Sequence, residues 1–332
     1  MLSRSYLCSN IVLLVISSVA SSDKLYTNDS LRFLVLADWG GLPISPYFTP
    51  IEVSVAKVMG DIATNYKSEF VLALGDNFYF NGVENEHDRR FKDTFENVYT
   101  APSLDIPWYI VGGNHDHVGN ITGQTEYTNI SPRWNFPSLY YRLKFDIPNT
   151  KSSILIVMID TVVLCGNSDM LFPGSAPTGP DDPQAAEEQW AWIEQQLNNS
   201  QNFEYVIVAG HFPVWSVAHH GPTECLVSRL QPLLNKYRVN AYFCGHDHNL
   251  QYLKEDNSTV KYFVIGSANF VDPSKSHMDS VPPNSLKFFY SQPVGGFAYL
   301  TATSQNITLT FADGHEGKDI YQNIILPRSK NF

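Results

Sequence analysis

Six acidic, amide and imidazole side chains recur at the ends of apolar runs: Asp38, Asp76, Asn114, His211, His246 and His248. All offer oxygen or imidazole nitrogen, and no cysteine stands among them. That donor set excludes thiolate zinc and iron–sulfur sites, and it suits iron, manganese or zinc held by carboxylate and imidazole. Six donors are too many for one tetrahedral ion. A shared carboxylate can bridge two ions about 3.5–4 Å apart, an arrangement that clamps a transferring phosphoryl group. A single His or Asp at a strand end is most often structural. Six such ends, with His246 and His248 as a His-x-His pair, point to a site instead. Tyr79 adds a question: in "VLALGDNFYF" (71–80) it follows Asp76 by three residues, where a phenol needs a reason.

Such donors need strands that end together. "LRFLVLADWG" ends at Asp38, "FVLALGDN" at Asp76 and Asn77, and "WYIVGGNHD" at Asn114, His115 and Asp116. "SILIVMIDT" ends at Asp160, "EYVIVAGHFP" at His211, and "NAYFCGHDHN" at His246 and His248. Each run is apolar without alternation, as strands covered on both faces are. Helical stripes alternate with them. Ile51, Val55, Val58 and Ile62 form one; Phe91, Phe95 and Val98 another. Ala186, Trp190, Ile193 and Leu197 follow Asp182 as N-cap and Pro183 at N1, and Leu226, Leu230 and Leu233 make a fourth. The alternation predicts an α/β fold with mainly parallel strands, whose functional loops lie at the carboxyl ends of the strands. The later runs "KYFVIGSA", "FAYLTAT" and "NITLTFADG" are expected to extend a second sheet. No internal repeat or interdomain linker is visible, and the Pro/Gly loop "DMLFPGSAPTGPDDP" (169–183) is the one low-complexity stretch.

The chain has 332 residues, enough for one large domain or two. A hydrophobic content of 43% and a charged content of 17% exclude a disordered chain. A net charge of −11 without a basic cluster argues against nucleic acid as a partner. "MLSRSYLCSNIVLLVISSVASS" (1–22) reads as a removable signal peptide: Arg4, then the apolar run Ile11–Ile16, then small Ala20, Ser21 and Ser22. The run is too short to span a bilayer, and no later stretch is long enough, so no membrane anchor is expected. The tail "NIILPRSKNF" is neither an ER-retention nor a GPI signal. The expected location is therefore secreted or lysosomal. Six sequons, at Asn28, Asn120, Asn129, Asn198, Asn257 and Asn306, predict N-linked glycans. Asn129 is the poorest acceptor because Pro132 follows Ser131. Of four cysteines, Cys8 leaves with the leader. Cys165 and Cys225 lie in loop contexts and are expected to pair, and Cys244, closing "AYFC", is expected to stay buried and free.

Asp-Trp-Gly at 38–40, "GDNFY", "GNHD", "GHFP" and "GHDH", in this order, resemble the binuclear metallophosphoesterases. "GDNFYF", "RWNFPSLYYRL", "DTVVLCGNSD" and "GHDHNLQYL" are similar, more narrowly, to the purple acid phosphatases, specifically the small animal tartrate-resistant acid phosphatases (type 5). The resemblance covers nearly the whole chain after residue 30. It implies a calcineurin-like metallophosphoesterase fold, a four-layer αββα sandwich with two central mixed sheets, in a single domain over 23–332. It implies a binuclear centre of Fe(III) and a divalent ion, Fe(II) or Zn(II). Asp38, Asp76, Tyr79 and His248 match the ligands of the ferric ion. Asp76, Asn114, His211 and His246 match those of the divalent ion, with Asp76 as the bridge. This answers the question about Tyr79. Three-residue spacing lets the chain turn so that both side chains reach one ion, and a phenolate is a hard anionic donor that favours Fe(III). Its charge transfer gives the family its purple colour.

The implied activity is acid phosphatase: hydrolysis of phosphate monoesters, phosphoproteins among them, by attack of a metal-bound hydroxide. His115 is the first candidate for protonating the leaving group, and the pair His219 and His220 the second. His115 and His220 match family positions that face the phosphate. His219 stands where the mammalian secreted enzymes carry Glu, and it is similar to the plant pattern of two adjacent histidines. His117 is expected at the rim and Asp247 as an acceptor orienting a ligand. His87, His277 and His315 receive no role. Phe80 and Phe270 are expected to wall the site. The loop 168–184 resembles an activating lid cut by a protease, although it contains no Lys or Arg. A monomer is expected. The alternatives are a phosphodiesterase of the same superfamily and a non-catalytic iron-carrying glycoprotein.

Overall fold

In the computed structural model, which describes residues 29–168 and 175–328, the apolar runs form two seven-stranded sheets. The leader with Cys8, the sequon at Asn28, and Leu171 and Phe172 of the loop lie outside the described residues. In chain order the strands are β1 (Leu31–Leu36), β2 (Phe70–Leu74), β3 (Trp108–Val111), β4 (Trp134–Asn135), β5 (Tyr141–Asp146), β6 (Ser153–Met158) and β7 (Tyr205–Ala209). They continue with β8 (Ala241–Cys244), β9 (Leu250–Leu253), β10 (Lys261–Ile265), β11 (Leu286–Tyr290), β12 (Gly296–Ala302), β13 (Ile307–Asp313) and β14 (Asp319–Ile325). The helices are α1 (Pro50–Tyr66), α2 (Asn114–Val118), α3 (Ile121–Glu126), α4 (Thr161–Cys165), α5 (Pro183–Asn198) and α6 (Glu224–Lys236).

The first sheet runs β14-β13-β12-β1-β2-β3-β4 and the second β11-β9-β10-β8-β7-β6-β5. Parallel strands form the heart of each: β1 to β4 in one, and β6, β7, β8 and β10 in the other. Antiparallel strands complete both. The run at 261–265 does join the second sheet, but the runs at 296–302 and 307–313 do not. β12 returns to the first sheet and pairs antiparallel with β1, Leu31 opposite Ala302 and Val35 opposite Ala298. Short turns dictate antiparallel neighbours, but nothing local says which sheet edge the hairpin will meet.

Alternation along buried strands builds the layers. In β6, Ile154, Ile156 and Met158 join the core shared with the first sheet, while Leu155 and Val157 face the other way with Ile159. Those outward residues pack with Trp190, Ile193 and Leu197 of α5 and with Leu226, Leu230 and Leu234 of α6. On the opposite side, Val55, Ala56, Met59 and Ala63 of α1 cover the first sheet. The order is helix, sheet, sheet, helix. The α6 stripe shifts by one residue from the expected pattern: Leu234 is buried and Leu233 half-buried. Phe91 and Phe95 lie on a single wide helical turn, Phe91–Glu96.

Local chemistry sets the helix ends. Thr49 and Glu52 form a capping box ahead of Pro50, and Asp182 accepts from the N–H groups of Gln184 and Ala185 ahead of Pro183. Cys165 at the end of α4 is bonded to Cys225 at the start of α6, with Cα atoms 5.7 Å apart. Closing a loop of this length stabilises the fold by about 4 kcal/mol, mainly by restricting the unfolded chain. Cys244 is free and buried. No helix among the described residues is long and apolar enough to cross a membrane.

Candidate metal centre

The parallel strands end at one edge, and the loops there bring the donors within reach of one another. Asp76 belongs to two groups of three: Asp76, His211 and His246, and Asp38, Asp76 and His248. Within each group the donor atoms all lie within 4.8 Å of one another. A common carboxylate is the geometry that two neighbouring cations require. Asn114 adjoins the first group through Oδ1, 3.0 Å from His211 Nε2. Tyr79 adjoins the second, its hydroxyl donating to Asp38 Oδ1 at 3.0 Å and lying 3.0 Å from His248 Nε2. All seven donors read from the sequence therefore converge.

Backbone strain accompanies this convergence. Asp38, Asp76 and His246 have φ of 56°, 51° and 70°, in the left-handed region that costs most non-glycine residues energy. Such positions cluster at functional sites, where the surrounding structure enforces them. Here each lies two residues beyond the end of its strand, β1, β2 or β8. Glycine is needed beside them. A Cβ on Gly113 would collide with the Asp76 carboxylate, and one on Gly245 with that of Asp38.

Other polar residues at the strand ends are struts. Buried Asp116 accepts from Gly113 N (2.8 Å), Asn77 N (3.0 Å) and Gln124 Nε2 (2.8 Å), so it locks the loops after β2 and β3 together. Burial and the Asp76 charge push its carboxyl up to about 6. Asn77 accepts from Trp39 Nε1 (3.1 Å) and donates to Val111 O (2.9 Å). Trp39 itself sits edge-on against Phe95 and Tyr99 and tilted against Trp108 and Trp134, a rigid aromatic floor beneath the loops. Asp160, the remaining strand end, stays out of the donor groups. It caps α4 by accepting from Val162 N and Val163 N, and takes His117 Nε2 at 2.7 Å. His117, as exposed as His115, is consequently a paired side chain. Among the described residues, Asp247 makes no hydrogen bond to a ligand imidazole. It accepts from Ser216 Oγ and from His220 N (2.9 Å), so it anchors the loop that carries the histidine pair.

The electrostatics call for cations. Asp38 and Asp76 are buried together, and among the described residues no Lys or Arg pairs with either; their charged partners are His115, His211 and His248. Buried charge of one sign without compensation is costly. His211 Nδ1 donates to Leu74 O at 2.8 Å, leaving Nε2 to face Asp76 Oδ1 (3.4 Å) and Asn114 Oδ1. Burial opposes charge on this imidazole, yet the Asp76 carboxylate pushes it up to about 9. A proton is thus held where oxygens converge, which is where a metal ion fits. Burial and neighbouring imidazoles push His246 well below the usual range, so it offers a neutral lone pair. Burial, Asp38 and Asp76 hold the Tyr79 phenol protonated; a bound cation reverses that balance, because it becomes the largest local charge. Hard oxygen donors with imidazole fit iron or zinc.

The three candidate catalytic histidines border this cluster. His115, whose side chain is 14% exposed, donates from N to Asp76 Oδ1 (3.0 Å) and from Nδ1 to Phe80 O (2.8 Å), so Nε2 is left facing the site, 3.9 Å from Asp76 Oδ2. The His220 ring lies 3.9 Å from that of His246, and its buried Nδ1 has no hydrogen-bond partner among the described residues. Burial, with His248 and His219 adding to it, pushes His220 down to about 4. The His219 ring meets that of His220 edge-on, with centroids 5.2 Å apart. Phe80, 41% exposed, stacks on Phe270, which in turn packs against Tyr79 and His248. His277, to which the sequence assigns nothing, donates from Nδ1 to Ala218 O (2.7 Å) and braces the histidine loop. No local motif marks it, because its partner is distant along the chain.

The family model described as calcineurin-like phosphoesterase matches residues 31–250. Tartrate-resistant acid phosphatase type 5 of Oryctolagus cuniculus is 48% identical over 304 residues, covering 91% of this chain and 92% of that protein. Purple acid phosphatase 17 of Arabidopsis thaliana is 30% identical over 305 residues, covering 86% and 82%. Among solved structures, GAP50, the anchor in the inner membrane complex of Plasmodium, shares the fold with a TM-score of 0.77 and 24% identity, over 91% of this chain and 90% of its own. Relatives of this kind imply a binuclear metal centre, and the two candidate donor groups here share Asp76. By family match, length of alignment and donor geometry together, the chain belongs to the calcineurin-like phosphoesterases and, within them, to the tartrate-resistant acid phosphatases type 5.

Proposed function

We propose that the chain, an acid phosphatase by family, hydrolyses phosphate monoesters at a centre of one ferric ion and one divalent ion, Fe(II) or Zn(II). The membership of Asp76 in both donor groups carries this reading. Asp38, Asp76, Tyr79 and His248 would hold the ferric ion; Asp76, Asn114, His211 and His246 would hold the divalent ion. When bound, such a pair neutralises the phosphate and activates water at acid pH. The protein's own groups do the rest. His115, fixed through Nδ1, presents Nε2 for proton donation to the leaving oxygen. His220, kept neutral by burial, offers a hydrogen bond and not a charge, and His219 lies beside it. Phe80 and Phe270 line the approach and suit aryl as well as alkyl esters.

Turnover of p-nitrophenyl phosphate against its diester tests the reading. Monoester turnover should exceed diester turnover, and the reverse order would make the protein a diesterase. Metal-loaded protein inert toward both esters across the acid range would favour an iron carrier. Tyr79→Phe should keep the fold and lose the visible charge-transfer band, since only the phenolate oxygen is removed. A variant that stays purple with iron bound would rule out Tyr79 as the chromophore.

Secretion or lysosomal delivery, a monomeric state and glycosylation belong to the same proposal. Among the described sequons, Asn120, Asn129, Asn198 and Asn257 are exposed and Asn306 is half-buried. Proteolytic activation within loop 168–184 is also proposed. The chain around it reaches the segment that bears Asn114: just before the loop, Asn167 Nδ2 donates to Asn114 O (3.0 Å), and within it Gly179 N donates to Cys165 O (3.1 Å). A mapped cut in this loop should raise kcat without changing metal content, and the Cys165–Cys225 bond should keep the fragments together. Unchanged kinetics after a verified cut would make the loop a passive surface feature.

A further inference from the structure

The loops that follow β1 and β2 meet backbone to backbone. Gly40 O accepts from Tyr79 N at 3.0 Å, and a Cβ on Gly40 would strike the backbone of Asn77 and Phe78. Arg90 closes this seam from behind. Its Nη1 donates to Tyr79 O at 2.6 Å and its Nη2 to Gly40 O at 2.6 Å. Its Nε donates to Thr94 Oγ1 at 3.0 Å, and that hydroxyl donates to Tyr47 O at 2.8 Å. All three guanidinium nitrogens are engaged, and the residue is only 6% exposed. Among the described residues no carboxylate forms an ion pair with it; the buried charge goes into two carbonyls.

We infer that Arg90 is a positioning residue: its planar fork staples the two loops and thereby holds the Tyr79 phenol against Asp38 and His248. A guanidinium does this and an ammonium does not, because two parallel N–H groups set both distance and angle. The staple touches the loops bearing Asp38 and Tyr79. It touches none of Asn114, His211 and His246. Asp76 stands on the same loop as Tyr79, so Arg90 acts directly on the half of the centre that holds Asp38 and Tyr79 and reaches the other half only through Asp76; the inference rests on the proposed assignment of the first half to iron.

The test uses Arg90→Gln and Arg90→Lys in the full-length protein, with iron and second-metal content, the visible spectrum and thermal stability measured together. Arg90→Gln should bind iron about 10-fold more weakly, the scale expected when a residue supporting a ligand is removed, and lose markedly less of the second metal, which the stapled loop meets only through Asp76. Its charge-transfer band, per bound iron, should shift from the wild-type position. Arg90→Lys, which keeps the charge without the fork, should fold if Arg90→Gln does not, and should show the same band shift. A band per iron and a metal ratio equal to wild type, even with lowered stability, would reduce Arg90 to a structural arginine and overturn the inference. A colourless iron-bound wild type would overturn the ferric reading instead. Selective loss of one of the two ions from the variants would then still decide for Arg90, and equal loss against it.

Discussion

Asp76→Asn is expected to lose both metal ions and to lower kcat/KM by at least about 10³-fold, equivalent to about 4 kcal/mol of transition-state stabilisation. Asn keeps the shape and tolerates the left-handed backbone at φ 51°, so the fold should survive. What it loses is the anionic oxygen that serves two donor groups at once. Asp38 belongs to one group only, so Asp38→Asn should lose one ion and retain the other. Elemental analysis of the two variants beside the wild type is the measurement. Equal losses in both would contradict a shared role for Asp76.

His115→Ala is expected to lower kcat by about 10²-fold while both metals stay bound, the usual scale for removing a general acid. The His115 ring packs edge-on against Tyr79 and lies 3.9 Å from Asp76 Oδ2, but the hydrogen bond to Asp76 Oδ1 comes from the backbone N–H, and alanine keeps that N–H. The leaving group separates the possible roles. An alkoxide needs a proton far more than p-nitrophenolate does, so the loss should be larger for an alkyl phosphate. Equal losses for both esters would mean that His115 orients the phosphate and donates no proton.

Much of this centre is legible in the chain because its determinants are short-range. A strand covered on both faces must be apolar throughout, and a polar residue at its end must lie in a loop. Asp38, Asp76, Asn114, His211, His246 and His248 follow from that rule, and the motifs around them carry the family. The same rule places Asp160 at the site, and there it misleads: the next residues open α4, and the carboxylate serves as its cap. Asp247 misleads similarly. Its position between two histidines suggests a partner in the ring of one, but its oxygens reach Ser216 and His220 N across the chain.

Residue type, strand periodicity and the chemistry of hard donors, all local properties, thus determined the strand ends, the α/β class and the kind of metal centre. Tertiary structure alone decided which edge β12 joined, that Asp160 caps α4 instead of joining the donor groups, and that Arg90 staples Gly40 to Tyr79. Each of these depends on distances between segments far apart in sequence and on backbone angles at single residues. A periodicity of two or 3.6 residues carries no information about either, because it records which face of an element is buried and not what lies against it.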